Sequence, residues 1–147
     1  MKIHEAKIDD ALVGTLIALS AAWEAEQSCF GYRANTRGDI EGNRVFVAED
    51  DGEVIGYLFW HICASENMRS IMPEGTPFFE VEELYVIPAR RREGIGAALF
   101  RFAENAVRPD AQYMVLSTAT KNWRAVFHFY LDELDMSFWS ARLFKKI

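Results

Sequence analysis

A short segment in the middle of the chain combines three consecutive arginines with two closely spaced glycines. It runs from Glu83 to Gly96 and reads Glu-Leu-Tyr-Val-Ile-Pro-Ala-Arg-Arg-Arg-Glu-Gly-Ile-Gly. An apolar strand ends at Pro88, which has no N–H group for a strand ladder, and an apolar helix follows the glycines. A helix N-terminus exposes unpaired N–H groups at the positive end of the helix dipole. The segment therefore predicts a backbone site for phosphate or pyrophosphate.

The glycines and the arginines serve such a site in different ways. Gly94 and Gly96 lack a Cβ atom, so their backbone can approach a ligand closely, and the arginines supply charge-assisted donors. For either glycine alone, an ordinary surface turn is the alternative. Two other phosphate motifs are excluded. The chain has no Gly-Lys-Ser/Thr tripeptide of a Walker A loop, and Leu99 stands where a dinucleotide fingerprint needs a third small residue.

Length and composition favour a single domain over residues 1–147. Half of the residues are apolar and 14% are aromatic, which is enough for a sizeable core. The net charge of −6 argues against a general nucleic-acid-binding surface. No apolar run approaches the ~20 residues that span a bilayer, and the N-terminus lacks the apolar core of a signal peptide. We expect a cytoplasmic protein without nucleic-acid or membrane partners.

Cysteines and histidines are few and widely separated along the chain. Cys29 and Cys63 are the only cysteines, and the three histidines are His4, His61 and His128. This spacing matches no metal-binding motif and no disulfide framework. The sequence therefore predicts no metal.

Alternation and helical periodicity predict an α/β fold with a mixed sheet. Asp50 to Glu53 contains an Asp-Gly pair between two β-rich runs, which indicates a hairpin. A long connection at 64–77 is typical of functional loops. Asp9 or Asp10 is expected to cap the first helix, which carries Leu12, Leu16, Leu19 and Trp23 on one face. Further helices are predicted after Gly94, with a stripe of Ile95, Leu99, Phe102, Ala103 and Ala106, and from Trp123 to Leu134. Strands are predicted at 2–6, 44–49, 54–62, 78–87, 113–118 and 138–145.

The arginine–glycine segment resembles motif A of the GNAT superfamily of acyl-CoA-dependent N-acetyltransferases. That motif reads Gln/Arg-x-x-Gly-x-Gly/Ala, and Arg91, Gly94 and Gly96 match it. Many members have a glycine directly after the arginine, where this chain has Arg92. The element order matches the GNAT fold over nearly the full length. The resemblance implies a mixed, mostly antiparallel twisted sheet with helices on both faces. It also implies a splay between strands 4 and 5 that admits the pantetheine arm of the cofactor.

The resemblance implies acetyl-CoA as the co-substrate, with no metal. Backbone groups just before the motif would pair with the pantetheine arm, and Asn122 matches an asparagine that contacts it in the family's Asn-x-x-Ala … Phe-Tyr segment. The loop and the first helical turn would hold the pyrophosphate. The implied cofactor-binding residues are Leu84, Tyr85, Val86, Arg91, Arg92, Glu93, Gly94, Ile95, Gly96, Ala97 and Asn122.

Tyr130 matches the family tyrosine whose hydroxyl lies near the CoA sulfur. A tyrosine pKa of about 10 keeps the phenol protonated at neutral pH, so it has a proton to donate to the departing thiolate. The spacing from Asn122 is eight rather than the usual seven, which falls on Phe129, and Leu134-Asp135-Met136 replaces the usual Leu-Gly-Phe. A one-residue helix insertion, a π-bulge, would absorb both departures. A core role for Tyr130, or His128 as the acid, is the alternative.

Three glutamates on the strand before the loop are candidates for a catalytic base, although glutamate is depleted in strands. By alternation, Glu80 and Glu82 share one face and Glu83 takes the other. An alkylamine of pKa about 10.4 must lose a proton before it attacks, and a carboxylate can accept that proton. We favour Glu82, which matches a carboxylate thought to act as base in diamine-type relatives, with Glu83 second. A solvated or cation-binding acidic patch is the alternative.

The predicted function is transfer of an acetyl group from acetyl-CoA to a primary amine of a small acceptor, by direct attack in a ternary complex. Recurring acidic residues favour a cationic acceptor. Trp23, Tyr32, Trp60 and the 64–77 loop are candidates for its pocket. The alternatives are a catalytically silent CoA-binding module, a protein lysine or N-terminal acetyltransferase, and a binder of another nucleotide. The closing strand and the many aromatic residues are compatible with a homodimer.

Overall fold

One five-stranded sheet organises the computed structural model, which describes all residues 1–147. The strands lie in sequence order: β1 (Lys2–Glu5), β2 (Arg44–Asp50), β3 (Glu53–Ala64), β4 (Pro77–Val86) and β5 (Tyr113–Val115). Strands β1 to β4 are antiparallel, and β5 runs parallel to β4. The predicted mixed, mostly antiparallel sheet is confirmed.

The helices follow local signals of the sequence. Asp9 caps the first helix, since its carboxylate accepts the Leu12 N–H at 2.8 Å. A second, short helix begins at a capping box between Thr36 and Asp39. No helix has the length and apolar character needed to cross a membrane. The helices are α1 (Asp10–Ala25), α2 (Arg37–Glu41), α3 (Ile95–Val107) and α4 (Trp123–Phe127), which continues as a π-helical segment (His128–Glu133).

Helices cover both faces of the sheet, as predicted. On one face α3 packs against alternate residues of β2, β3 and β4, including Phe46, Leu58 and Phe79. On the other face α1 and α2 pack against the intervening residues, including Val47 and Tyr57. Each face therefore has its own apolar core.

The buried face of α3 differs in part from the predicted stripe. Ile95, Leu99 and Ala103 are buried as expected, but Ala106 is exposed and Val107 is buried instead. Phe100 is buried as well, and the other four buried positions are spaced by steps of four residues, so the buried stripe drifts around the helix from the expected set.

Two strand predictions are wrong. The strand predicted at 113–118 ends at Val115, and the strand predicted at 138–145 is absent, with Phe138, Leu143 and Phe144 exposed. A strand requires a hydrogen-bonding neighbour, and no other strand of this chain pairs with residues 116–118 or 138–145. The apolar pattern alone could not supply that partner.

Gly56 of β3 lies in close contact with both β4 and α3. A Cβ atom built on Gly56 would lie 2.9 Å from the carbonyl oxygen of Tyr85 and 3.2 Å from Leu99 Cδ1. The first contact is with backbone of β4, which cannot rotate away. The close packing of β3, β4 and α3 therefore depends on a residue without a side chain.

Alanine at Gly56 is expected to lower the free energy of unfolding by about 1–3 kcal/mol, as overpacking does in a filled core. Gly14 is the matched control, because it lies exposed within α1 and a Cβ atom there meets nothing within 4 Å. Gly14→Ala should raise the free energy of unfolding by about 0.5–1 kcal/mol. Urea denaturation of both variants checks this, and equal effects would contradict the close approach at Gly56.

Candidate functional site

A slot opens where β4 and β5 separate. The two strands pair only from Phe78 to Glu80, while β4 continues along β3 as far as Val86. Beyond β5 the chain runs next to the segment that follows α1. Cys29 and Thr120 form an isolated antiparallel β-bridge there, and the Phe30 N–H donates to the Ala119 carbonyl at 2.9 Å. The predicted splay between strands 4 and 5 is therefore present.

The slot encloses about 200 Å³ between the second half of β4 and residues 117–119. Trp23, Cys29 and Tyr32 line it from the side of α1, and Glu82 and Glu83 line it from β4. Both carboxylates favoured as the base thus lie on its wall. Trp60, another residue considered for the acceptor pocket, is only 3% exposed. It packs on the opposite face between Phe46 and Phe79, at centroid distances of 5.2 and 4.9 Å, so that expectation is wrong.

A β-bulge changes which face Glu83 occupies. Phe59 pairs with Glu83 and Trp60 pairs with Val81, so Glu82 is an extra residue in β4. His61 pairs with Glu80, and it lies two residues from Phe59 on β3. Glu80 and Glu83 therefore share one face, contrary to the simple alternation predicted. The bulge gathers the acidic residues of β4 on the side of α1.

Glu83 is held by three donors from different parts of the chain. Its carboxylate accepts hydrogen bonds from the Tyr57 hydroxyl at 2.8 Å, from the Tyr32 hydroxyl at 3.2 Å and from Asn35 Nδ2 at 3.0 and 3.1 Å. Burial raises the pKa of the Glu83 carboxyl, and these hydrogen bonds oppose that rise. Burial, and then the charge of Glu83, raise the pKa values of Tyr32 and Tyr57. Both phenols thus remain protonated donors at neutral pH.

The donor Asn35 is itself fixed by α1. Its N–H donates at 2.9 Å to the hydroxyl of Ser20, a buried residue on the inner side of the helix, and the neighbouring Ala34 N–H donates to Glu24 Oε2 at 3.0 Å. Sequence reasoning missed Ser20, Asn35 and Tyr57. The available signal was Glu83 itself, since a glutamate on the packed face of a strand requires buried donors.

Glu82 has a more open environment than Glu83. Its side chain is 40% exposed, and Glu82 Oε1 lies 3.5 Å from His61 Nδ1. The other ring nitrogen, His61 Nε2, lies 3.7 Å from Glu80 Oε2. Glu82 thus faces both the slot and His61, and its role as base stays a prediction.

Backbone amides are exposed in the loop after β4, as the sequence indicates. The Arg91 N–H donates to the Pro88 carbonyl at 3.3 Å, and the first helical bond runs from the Ala98 N–H to the Gly94 carbonyl at 3.0 Å. The N–H groups of residues 92–97 have no acceptor within the protein. Gly94 has φ +80°, a left-handed conformation that suits glycine. The arrangement fits an anionic group of phosphate type.

The three arginines have separate surroundings. Arg91 braces the loop, since its Nε donates to the Val86 carbonyl at 2.9 Å and its guanidinium meets Glu26 at 2.7 Å. Arg90 points away and pairs with Asp50 and Glu93, at 3.0 and 2.8 Å. Arg92 is exposed and makes no ion pair, and its φ of +68° lies in the left-handed region. Its backbone conformation gives a physical reason for the glycine that many family members have there.

The residues predicted to line the pantetheine arm lie on the unpaired half of β4. Leu84, Tyr85 and Val86 all follow the last residue paired with β5. The Tyr85 side chain belongs to the core, because it is 3% exposed and stacks on Trp23 at 5.3 Å. Any contact of Tyr85 with a ligand in the slot would therefore involve its backbone.

A π-helical segment takes up the unusual spacing between Asn122 and Tyr130. Asn122 immediately precedes α4, and the helix widens from His128 to Glu133. Phe129, the residue at the usual spacing of seven, lies against the loop, with its Cζ 3.4 Å from a Cβ atom built on Gly96. Tyr130 turns toward Phe100, at a centroid distance of 6.1 Å. The helix insertion predicted from the sequence is confirmed.

The Tyr130 hydroxyl makes no hydrogen bond within the protein. Burial raises the pKa of Tyr130 to about 12, and the nearby Cys29 thiol adds to the rise. Cys29 lines the slot, and the Tyr130 phenol is not among the groups that line it. The phenol is protonated at neutral pH and has a free proton to donate.

Comparison with known proteins identifies the family that this fold and loop define. Residues 41–132 match the family model described as acetyltransferase (GNAT) domain, which is more than half of the chain. The chain belongs to the GNAT family, in agreement with the sequence resemblance.

The relatives include one curated sequence and many solved structures. An uncharacterized N-acetyltransferase of Archaeoglobus fulgidus is 38% identical over 82 residues, which cover 55% of this chain and 52% of that protein. The chain thus spans about half the length of the curated relative it matches. An apo aminoglycoside 6'-N-acetyltransferase of Acinetobacter haemolyticus aligns over 100% of this chain and 99% of that chain, with a TM-score of 0.67 and 21% identity. An aminoglycoside N-acetyltransferase in complex with CoA aligns over 99% of this chain and 98% of that chain, with a TM-score of 0.66 and 16% identity. At these identities the structural likeness shows the fold.

The Arg92→Gly variant is expected to be more stable to unfolding than the Arg92→Ala variant by about 1 kcal/mol. A left-handed backbone is costly for alanine but not for glycine. Both variants remove the same guanidinium, so the difference between their free energies of unfolding reports the backbone alone. Urea denaturation measures it. Equal stabilities would mean that the loop can adopt another conformation without cost.

Proposed function

We propose that the protein transfers the acetyl group of acetyl-CoA to a primary amine of a small cationic acceptor, by direct attack in a ternary complex. The observation that carries the proposal is the position of the slot. It adjoins the end of β4 from which the loop of free amides starts, and two carboxylates line it. Ligands of open α/β sheets bind at such carboxyl ends of parallel strands, where neighbouring strands diverge.

The residues around the loop fit the pyrophosphate of acetyl-CoA. The free N–H groups of residues 92–97 offer consecutive donors to phosphate oxygens, and the unpaired Arg92 guanidinium can add a charge-assisted contact. Gly96 leaves the loop backbone uncovered between Val86 and Phe129. We assign Glu93, Gly94, Ile95 and Ala97 to the same cradle through their backbone, and Leu84, Tyr85, Val86 and Asn122 to the pantetheine arm.

The acidic wall of the slot supports a cationic acceptor. Glu82 is accessible from the slot, and Glu83 adds a second carboxylate fixed by Tyr57 and Asn35. Beside them, Trp23 and Tyr32 pack with ring centroids 4.2 Å apart and present aromatic surface to the same space. An ammonium group is attracted by the carboxylates and by aromatic faces.

The proton transfers are assigned to Glu82 and Tyr130. Glu82 accepts the proton of the acceptor ammonium group, directly or through water, which frees the nitrogen lone pair to attack the thioester carbonyl. Glu83 has three donors on its carboxylate and serves to hold the charge and position of the acceptor. Tyr130, a protonated phenol, donates its proton to the departing CoA thiolate, and the second proton that the acceptor nitrogen loses as the amide forms restores the phenol.

Release of free CoA from acetyl-CoA is expected in the presence of cationic amines, tested with polyamines, aminoglycosides and lysine peptides. Glu82→Gln should lower kcat/KM by about 100-fold, within the range of general-base catalysis, with unchanged affinity for acetyl-CoA. A thiol assay measures turnover, and calorimetry measures binding of acetyl-CoA against ATP and NAD.

Each other outcome of this experiment has a definite meaning. Binding of acetyl-CoA without turnover of any amine would instead support a silent CoA-binding module. Tighter binding of ATP or NAD would contradict the assignment of the loop. Full activity of Glu82→Gln together with loss of activity in Glu83→Gln would move the base to Glu83.

Phenylalanine at Tyr130 is expected to lower kcat by at least about tenfold, since general acids contribute roughly 100-fold or more. Affinity for acetyl-CoA and thermal stability should change little, because the hydroxyl has no partner in the protein. Steady-state kinetics over a pH series, together with thermal unfolding, measures these effects. An unchanged rate would remove Tyr130 from the mechanism.

The double variant Tyr130→Phe/Phe129→Tyr tests the register of the helix. It restores a tyrosine at the spacing of seven, but the ring at position 129 lies against Gly96, whereas the ring at position 130 turns toward Phe100. We therefore expect no recovery of kcat relative to Tyr130→Phe. Recovery would show that the spacing along the chain matters more than the widened helix turn.

A further inference from the structure

Three side chains with metal-binding atoms meet on the open face of the β3–β4 pair. His61 pairs directly with Glu80 across the two strands, and Cys63 follows His61 two residues along β3 on the same face. The residues are separated by up to 19 positions in the sequence, so no spacing motif marks them. The register of the hairpin alone brings them together.

The distances among these atoms are close to those of a tetrahedral metal site. His61 Nε2 lies 3.7 Å and Cys63 Sγ lies 4.0 Å from Glu80 Oε2, and the three ligand atoms all lie within 4.8 Å of one another. Zinc bonds of about 2.0–2.2 Å to nitrogen and oxygen and about 2.3 Å to sulfur separate tetrahedral ligand atoms by roughly 3.4–3.6 Å. Small side-chain rotations would close the remaining difference.

The far side of His61 has the partners that orient a metal ligand. Its Nδ1 lies 3.4 Å from Asn43 Oδ1 and 3.5 Å from Glu82 Oε1. The amide orientation of Asn43 is fixed, because its Nδ2 donates to the Asp39 carbonyl at 2.8 Å. Two acceptors therefore face Nδ1, which favours the proton on Nδ1 and leaves the Nε2 lone pair toward Glu80 and Cys63. Histidine ligands of zinc are commonly held by a carboxylate or carbonyl in this way.

We propose that His61, Cys63 and Glu80 bind a zinc ion, with Glu82 and Asn43 orienting His61. A thiolate and an imidazole select zinc-type ions over calcium or magnesium. The side chains of His61 and Glu80 are 35% and 36% exposed, so an ion can enter directly from solvent. Three protein ligands leave the fourth position to water.

The proposal does not depend on the acetyltransferase activity. Glu82 is the one residue that both arrangements use, since it faces the slot and His61. Cys63 has no part in the proposed reaction, so its variants separate metal binding from catalysis.

Cobalt(II) is the probe for the intact chain, because a tetrahedral cobalt–thiolate site absorbs in the visible and shows a thiolate-to-metal charge-transfer band in the near ultraviolet. Titration with cobalt should give this spectrum at one equivalent, and zinc should displace it at one equivalent. Cys63→Ser should abolish the charge-transfer band, and His61→Gln should weaken cobalt binding at least tenfold. Cys29→Ser is the matched control, since Cys29 lies in the slot, and it should keep the full spectrum.

Glu82→Gln provides a second, graded test. Loss of a partner that orients a ligand costs about 10–100-fold in metal affinity, so this variant should bind cobalt more weakly but keep the charge-transfer band. Absence of the band in the unmodified protein, or its persistence in Cys63→Ser, would overturn the proposal. Loss of the band in Cys29→Ser instead would assign the metal to the other thiol and equally overturn it. Thermal unfolding of each variant verifies that it is folded.

Discussion

The structure depends on one constraint, which is that β4 has a neighbour on one side along its whole length but on the other side only as far as Glu80. Parallel pairing with β5 holds the first half in the sheet. The second half keeps its bonds to β3 and leaves its other edge free. The slot exists because of that free edge, and the loop of unpaired amides begins where the same strand ends. The loop of free amides and the acidic wall of the slot are thus carried by one strand.

The features predicted from sequence are those whose cause lies within a few residues. The turn at Asp51-Gly52, the cap at Asp9 and the stop at Pro88 need only their own backbone chemistry. The strand expected at 138–145 has a suitable composition, but a strand forms only with a neighbour, and this chain offers none. The left-handed conformation of Arg92 has a local cause, but its own residue type does not indicate it. Only the glycine that many family members have at this position of the motif does so.

The sequence predicts that glutamates of β4 line the site, but it does not predict which face of the strand each of them occupies. Alternation places Glu83 opposite Glu80, and it fails because Glu82 is a bulge whose existence depends on the register against Phe59 and Trp60. The donors to Glu83 come from α1's following loop and from β3, so they are distant in sequence. A buried carboxylate requires such donors, but their identity follows only from the packing of the first helix on the sheet.

The segment from Asn122 to Tyr130 is an exception, because an irregularity in spacing did predict an irregularity in structure. One extra residue in a regular α-helix would rotate every later side chain by about 100°. A π turn rotates less per residue, so it absorbs the insertion. The helix keeps Phe129 on the loop at Gly96 and Tyr130 toward Phe100 at the same time. Tyr130 and Leu134 pack against the core that α3 forms with the sheet, so the wider turn places the Tyr130 ring in that core while Phe129 stays at the loop.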